Sequence, residues 1–300
     1  MEKISRRRFI LAGTVGLAGL SIAGKGMEEN LYSLANDVVV DKVKLGNSGL
    51  TVSRMAMGTG TRGYNNGSNQ TRQGMESFVK LAHHAYERGI TFYDMAEGYG
   101  SMPFVAESIK NFPREKLTLL SKIWTYEDGS ERNEPVPVYL DRFRKAANTD
   151  YFDVILMHCM QQGGWSKTRK HHIEGLSKAK QDGIVKAVGV SCHHIDALAE
   201  AAESPWVDVI MARINPFGKN MDGEADAVKP VLLKAIQNGK GVVGMKIFAE
   251  GQCVTDQERE QSIQFAVTQK PVHCMTMGFE SLAQMDDAIE RVMRHASNIN

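Results

Sequence analysis

"TFYDMAEGYG", residues 91–100, is the stretch on which the fold turns. Thr91–Asp94 has the aromatic and β-branched character of a buried strand, and it ends on a carboxylate. An Ala, a Glu and a Tyr follow within five residues, and glycines punctuate them. Taken alone, the decapeptide is equally well a polar turn after a strand. Its neighbours decide between the readings.

Short apolar runs of the same kind recur at Met55–Gly58, Leu117–Lys122, Val154–His158, Val185–Ser191, Val207–Ile210, Val242–Met245 and His273–Met277. Helical patterns lie between them, at Gln73–Arg88, Pro103–Asn111, Val138–Ala147, Ile173–Gln181, Ile195–Ala202, Val228–Asn238, Gln257–Thr268 and Leu282–His295. Gly89, Gly183 and Gly239 stand where helices close. Ahead of the first run, "KVKLGNSGLTVSR" reads as a small hairpin around an Asn-Ser-Gly turn. Eight strand–helix units over about 250 residues of even composition predict an α/β fold, a single (β/α)8 TIM barrel behind a short N-terminal β-hairpin. A doubly wound sheet is the alternative. It calls for G-x-G-x-x-G after the first strand, where "MGTGTRG" is only a loose glycine cluster.

On this reading Asp94, Lys122, His158 and Ser191 fall at the C-terminal ends of consecutive strands, the face where barrels build active sites. Tyr99 lies in the loop after the second strand. A phenol titrates near 10 and is a poor acid at neutral pH. A nearby ammonium is expected to lower it, and a carboxylate to hold that ammonium. A neutral His on the other side can donate to a carbonyl oxygen. The set suits a phenol that protonates an oxygen as hydride reaches its carbon.

Those residues resemble the aldo-keto reductases. The similarity runs from about Val43 to about Arg294, through "LGNSGLTVSRMAMGTG", "GITFYDMAEGYG", "LTLLSKIW", "YFDVILMHCM", "GIVKAVGVSCH" and "GFESLAQMDDAI". The resemblance implies an NADP- or NAD-dependent oxidoreductase acting between a carbonyl and an alcohol. Its catalytic set is Asp94, Tyr99, Lys122 and His158. Ser191 and Cys192 stand where the family often has Ser-Asn to hold the nicotinamide, and Met211 where a Gln is usual; Asn215 is the expected substitute. "KIFAEGQ" matches the pyrophosphate loop, with Phe248 and Gly251 as contacts. Gly278, Glu280 and Ser281 fall in "MTMGFESLAQMDD", residues 275–287, where NADP-selective members carry a basic residue. There is none here, and Glu280, Asp286 and Asp287 are acidic, so a weakened NADP preference is expected, with backbone N–H groups near Ser281 still open to an anion. Trp124 is either a wall of the substrate pocket or plain packing. The block from His158 to His194 is most similar to a bacterial branch that often carries a ferredoxin-like cysteine cluster. None occurs in this sequence, and no iron–sulfur centre is expected.

The first residues read differently. "MEKISRRRFILAGTVGLAGLSIAGKG" has a basic head and then an uncharged run, Ile10–Gly24. Its fifteen residues fall short of the ~20 that span a bilayer. "SRRRFI" resembles a twin-arginine export signal, which implies the twin-arginine translocase as a partner and a periplasmic destination, or a membrane tether if the segment is not cleaved. The expected division is residues 1–36, signal and linker, and 37–300, the barrel.

With 42% hydrophobic and 24% charged residues, the chain suits a sizeable core. The formal charge is +1 overall. Residues 1–25 hold five basic side chains and one acid, which leaves −3 for the rest and gives no general argument for nucleic acid as a partner. The four cysteines, Cys159, Cys192, Cys253 and Cys274, lack metal spacing and are read as structural thiols. The pairs His83–His84, His171–His172 and His193–His194 diverge on their helices and are not expected to bind metal. "TRGYNNGSNQ", residues 61–70, is either a substrate lid or a solvated loop. The rival function is a non-catalytic, cofactor-binding barrel that engages a partner. Substrate and oligomeric state are not read from the sequence.

Overall fold

The computed structural model describes residues 38–125 and 134–298; the expected export segment lies outside the described residues. A two-stranded antiparallel hairpin comes first: β1 (Lys42–Lys44) pairs with β2 (Thr51–Ser53). Eight parallel strands then close into a barrel. They are β3 (Met55–Gly58), β4 (Phe92–Asp94), β5 (Thr118–Ile123), β6 (Phe152–Met160), β7 (Val185–Cys192), β8 (Val209–Arg213), β9 (Gly241–Met245) and β10 (Cys274–Met277), with β10 pairing back onto β3. The expected TIM barrel with its hairpin is what forms, and the doubly wound alternative is set aside. One strand is displaced from its sequence reading. The run expected at Val207–Ile210 pairs instead over Val209–Arg213, because Trp206–Val207 are spent in a turn and Asp208 joins the neighbouring strands through backbone bonds to Val188 and Gly241.

The helices between the strands follow from amphipathic patterns and explicit stops. The helix Met75–Glu87 ends at Gly89, which has φ +83°. Asp256–Thr268 starts with a capping box between Thr255 and Glu258, and Leu282–Ser297 with Ser281 accepting from the Gln284 amide.

Strand parity sorts the side chains into two cores. Ala56, Phe92, Leu120, Val154, Ala187, Val209, Val243 and Cys274 fill the barrel interior. Their neighbours in sequence, such as Met57, Tyr93, Leu119, Ile155, Val188 and Ile210, pack outward against the helices. The hairpin's Leu45 and Val52 join the interior set and are fully buried, so the hairpin closes the barrel floor. Burial of each such aliphatic side chain is worth roughly 1.5–3 kcal/mol. With the floor sealed, the functional end is the opposite, C-terminal mouth.

Candidate active site

Stepping two residues along each strand from the interior core reaches the mouth. From Phe92 the step reaches Asp94; from Leu120, Lys122; from Leu156, His158. The same parity brings Thr276 up from β10. Lys122, only 1% exposed, donates from Nζ to Asp94 Oδ1 and to the Met95 carbonyl, the latter at 2.9 Å. Asp94 is steadied from its other side: Thr276 Oγ1 donates to Oδ2 at 3.0 Å, and Thr59 Oγ1 to its backbone carbonyl at 2.8 Å. A buried ion pair is tolerable when its remaining hydrogen-bonding positions are filled in this way.

Tyr99 is delivered by the 3-10 turn Glu97–Tyr99, which Gly100 closes at φ +63°. Its ring slots between two glycines: a Cβ added to Gly60 or Gly63 would come within 2.2 or 2.4 Å of ring carbons. The loop at residues 61–70 is therefore neither a free lid nor a solvated loop over this part. It is the wall that holds Tyr99, tied down by Gln70 to Thr61 and by Asn69 to Glu280.

Lys122 Nζ lies 5.1 Å from the Tyr99 ring centroid, and the His158 ring is edge-on to Tyr99 at 6.1 Å between centroids. The four expected catalytic residues thus converge. Their contact is through the ring, however: among the described residues no hydrogen bond joins the Tyr99 hydroxyl to Lys122 or His158. The expected fall in the Tyr99 pKa is also corrected. Burial first, then the Asp94 carboxylate, push the phenol well above its ordinary value, because the Lys122 charge is already spent on Asp94. His158 behaves as expected of a neutral donor. Burial, with the Lys122 charge, holds it well below the ordinary imidazole value. The β6–β7 pairing slips between Met157 and Met160, and Cys159 there takes φ +59°. Such a bulge re-aims side chains at a strand end. Trp124 packs obliquely on His158 at 4.6 Å between ring centroids.

A cavity of about 610 Å3 runs from Asp94 and Tyr99 past Lys246, Phe248 and Gly251 to Gly278 and Glu280. The expected pyrophosphate and ribose contacts lie along it. Lys246, Ala249 and Glu250 all have positive φ, a conformation that non-glycine residues hold mainly at functional sites. Gly278 is needed where Thr61 and Gln70 approach closely.

The nicotinamide-holding set is not assembled as the resemblance implied. Cys192 has the wrong parity; it is fully buried in the outer core, since one step along a strand reverses the face. Ser191 points inward, but its Oγ accepts from the Cys159 amide. Asn215 is fully buried, and its amide is consumed locally: Nδ2 donates to the Lys219 and Lys246 carbonyls, and Oδ1 accepts from the Phe217 and Lys219 amides. It shapes a loop. The Ser281 hydroxyl is likewise spent on its helix cap. Three contributors had no sequence cue strong enough to find them: Thr276, the Gly60–Gly63 slot, and Arg259, which reaches the cavity from the helix Asp256–Thr268.

An aldo/keto reductase family model matches residues 55–298. This chain belongs to the aldo/keto reductase family. It is 25% identical over 216 residues to L-galactose dehydrogenase of Arabidopsis thaliana, covering 69% of this chain and 65% of that one. To the NADH-specific methylglyoxal reductase of Escherichia coli it is 24% identical, over 61% of each. The matched stretches span about half to two thirds of the length of the curated relatives. Among solved structures, the holo form of an aldo-keto reductase from Bacillus halodurans aligns with a TM-score of 0.68 at 18% identity, over 87% of this chain and 95% of that one. Glycerol dehydrogenase from Gluconobacter oxydans aligns with 0.62 at 17%, over 86% and 94%. These two likenesses concern the fold. The members of this family are oxidoreductases.

Proposed function

We propose that this chain is a nicotinamide-dependent carbonyl reductase. The carrying observation is the convergence of the buried Lys122–Asp94 pair, Tyr99 and a neutral His158 at the mouth of a long cavity. NADH or NADPH fits that cavity by its extent, its strained Lys246–Gly251 loop and the open space beside Gly251. Phe248, Gly251, Gly278 and Glu280 would hold it, and when bound it supplies the hydride. His158 donates to the carbonyl oxygen and fixes its position. Tyr99 is protonated at neutral pH, as a phenol is, and its hydroxyl serves as the proton donor to that oxygen. Lys122, held by Asp94, lies 5.1 Å from the centre of the Tyr99 ring and fixes the floor on which that ring rests.

The cavity also bears on the choice of cofactor. Among the described residues its two lining cations are engaged: Lys246 pairs with Glu250 at 2.5 Å, and Arg259 lies 3.6 Å from Asp287 and 3.4 Å from Asp256. Glu280 and Asp287 add negative charge. A 2′-phosphate would have to displace these pairs, which supports NADH as the better ligand. Purified protein, titrated with both cofactors by fluorescence quenching and then offered aldehydes and ketones while nicotinamide absorbance is followed, tests both points. NADPH more than about tenfold tighter, or about 1.4 kcal/mol, refutes the cofactor assignment. Silence across the carbonyl panel refutes the activity.

Export by the twin-arginine route to the periplasm is proposed on "SRRRFI" and the uncharged run after it. Changing Arg6 and Arg7 together to Lys is expected to leave the protein in the cytoplasm; unchanged fractionation refutes it. An exported reductase has little free nicotinamide outside, so the cofactor is proposed to stay bound. Periplasmic protein free of nucleotide by mass spectrometry would refute that.

A further inference from the structure

The strands enter the barrel at the end opposite the catalytic residues, and there a cavity of about 310 Å3 opens beside the start of β10. Its walls divide by polarity. Ala266 of the helix Asp256–Thr268, with Val272 and Met275, makes an apolar side; Ala266 and Met275 are 2% and 1% exposed. Arg54, just ahead of β3, and Lys270 and His273, just ahead of β10, make a polar side. Backbone pairing brings these two strand entries together, since the Met275 amide donates to the Arg54 carbonyl at 2.9 Å. Lys270 is exposed, while Arg54 and His273 are half-buried, so the polar side is the rim and the apolar side the interior.

Each of the three rim side chains keeps a donor to spare. Arg54 clasps Asp41 through Nε and Nη2, at 2.7 and 2.5 Å, and its Nη1 has no partner among the described residues. The Val242 amide donates to His273 Nδ1 at 3.0 Å. Burial keeps that ring neutral by lowering its pKa, so its proton sits on Nε2, which has no partner among the described residues. The Lys270 ammonium has no hydrogen bond or ion pair among the described residues either. Lys270 follows the last residue of its helix cap with φ +52°, a position where glycine is usual. No carboxylate lines the cavity among the described residues, and Asp41 cancels the charge of Arg54. The rim is left with the single positive charge of Lys270.

We propose that this cavity is a binding site for an amphiphilic monocarboxylate, a short aliphatic chain ending in one carboxylate. The chain lies against Ala266, Val272 and Met275, and the head group accepts from Arg54, His273 and Lys270. A carboxylate is acceptor-only and has lone pairs enough for all three donors. One uncompensated positive charge matches a monoanion better than a phosphate dianion or a dicarboxylate. The cavity is at the small end of the ~300–1,000 Å3 range of ligand pockets, which limits the chain to a few carbons. An alcohol of the same length would leave Lys270 without a counter-charge, and a bare anion would leave the apolar side wet. The site is remote from the barrel mouth and does not depend on the reductase reading.

Hexanoate, titrated against the full chain by saturation-transfer NMR, tests the site. It is expected to bind at least about tenfold tighter than acetate or 1-hexanol, because only hexanoate uses both sides of the cavity. Lys270→Met is expected to weaken it at least about fivefold, and Ala266→Leu, which fills the apolar side, by a similar factor. Lys270→Met is an exposed change and keeps the test open should Ala266→Leu fold poorly. Tyr99→Phe, at the other end of the barrel, should leave hexanoate binding unchanged. Acetate or 1-hexanol binding as tightly as hexanoate, displacement by an equal concentration of inorganic phosphate, or full affinity in Lys270→Met overturns the proposal. Weakened binding in Tyr99→Phe also overturns it, because the acid would then occupy the catalytic mouth.

Discussion

Asp94→Asn keeps the shape of the side chain and removes the charge that faces Lys122. Lys122 is 1% exposed, and among the described residues its other Nζ partner is the Met95 carbonyl at 2.9 Å. An ammonium left there without a counter-charge can escape by losing its proton. That costs about 1.4 kcal/mol for each pH unit between the working pH and the ordinary lysine value near 10.4. At about pH 7.5 the cost is about 4 kcal/mol, within the ~3–5 kcal/mol expected for breaking a buried pair. The sign in pH follows. In the variant the unfolded chain binds a proton that the folded chain does not, so its stability rises with pH until near 10.4. The deficit against the native chain should therefore shrink from ~4 kcal/mol at about pH 7.5 to ~1 kcal/mol at about pH 9.5. Urea unfolding of both proteins at both pH values measures it, and the subtraction removes other titrating groups. A deficit under ~1 kcal/mol at the lower pH, or one that does not shrink, refutes the reasoning.

Tyr99→Phe is expected to lower kcat by about 10²–10⁴ while cofactor affinity stays within about twofold, because the hydroxyl acts on the reacting oxygen; wild-type kcat where chemistry limits turnover would remove the proton-donor role. Gly60→Ala drives a Cβ to 2.2 Å from the Tyr99 ring. It should cost about 1–3 kcal/mol by overpacking and depress kcat as the phenol is displaced; thermal melts and steady-state rates check it, and a native-like result for both contradicts the slot. The reductive rate should be level from about pH 6.5 to about 10. The directions of the two shifts set these limits: His158 is neutral throughout because its pKa is lowered, and Tyr99 stays protonated because its pKa is raised. An acid limb near pH 6.5 that vanishes in His158→Asn would show that His158 titrates in that range.

The repeating strand–helix pattern and the strand-end positions of Asp94, Lys122 and His158 were legible because both are periodic. Local apolar runs predict strands, and a period of two predicts which residues face inward. Parity alone would also have warned against Cys192, one step off the inward face. Asn215 was different. Its amide is exhausted by carbonyls and amides of residues 217, 219 and 246, and no spacing rule reveals that. The Tyr99 pKa failed for a related reason. The residues nearby were correctly named, but the sign depends on burial and on where the Lys122 charge is already committed.

The sequence by itself determined the barrel, the hairpin ahead of it and the identity of the convergent residues, since these follow from local periodicity and chain order. The tertiary structure alone decided what closes around them. Gly60 and Gly63 make a slot only because the loop after β3 folds onto Tyr99, and Thr276 reaches Asp94 only because β10 closes against β3. Arg142, 45 residues from Glu97, pairs with it only when its helix docks beside the 3-10 turn. Contacts between residues so far apart in the chain depend on the register and packing of whole elements, and the residues at either end carry no local mark of them.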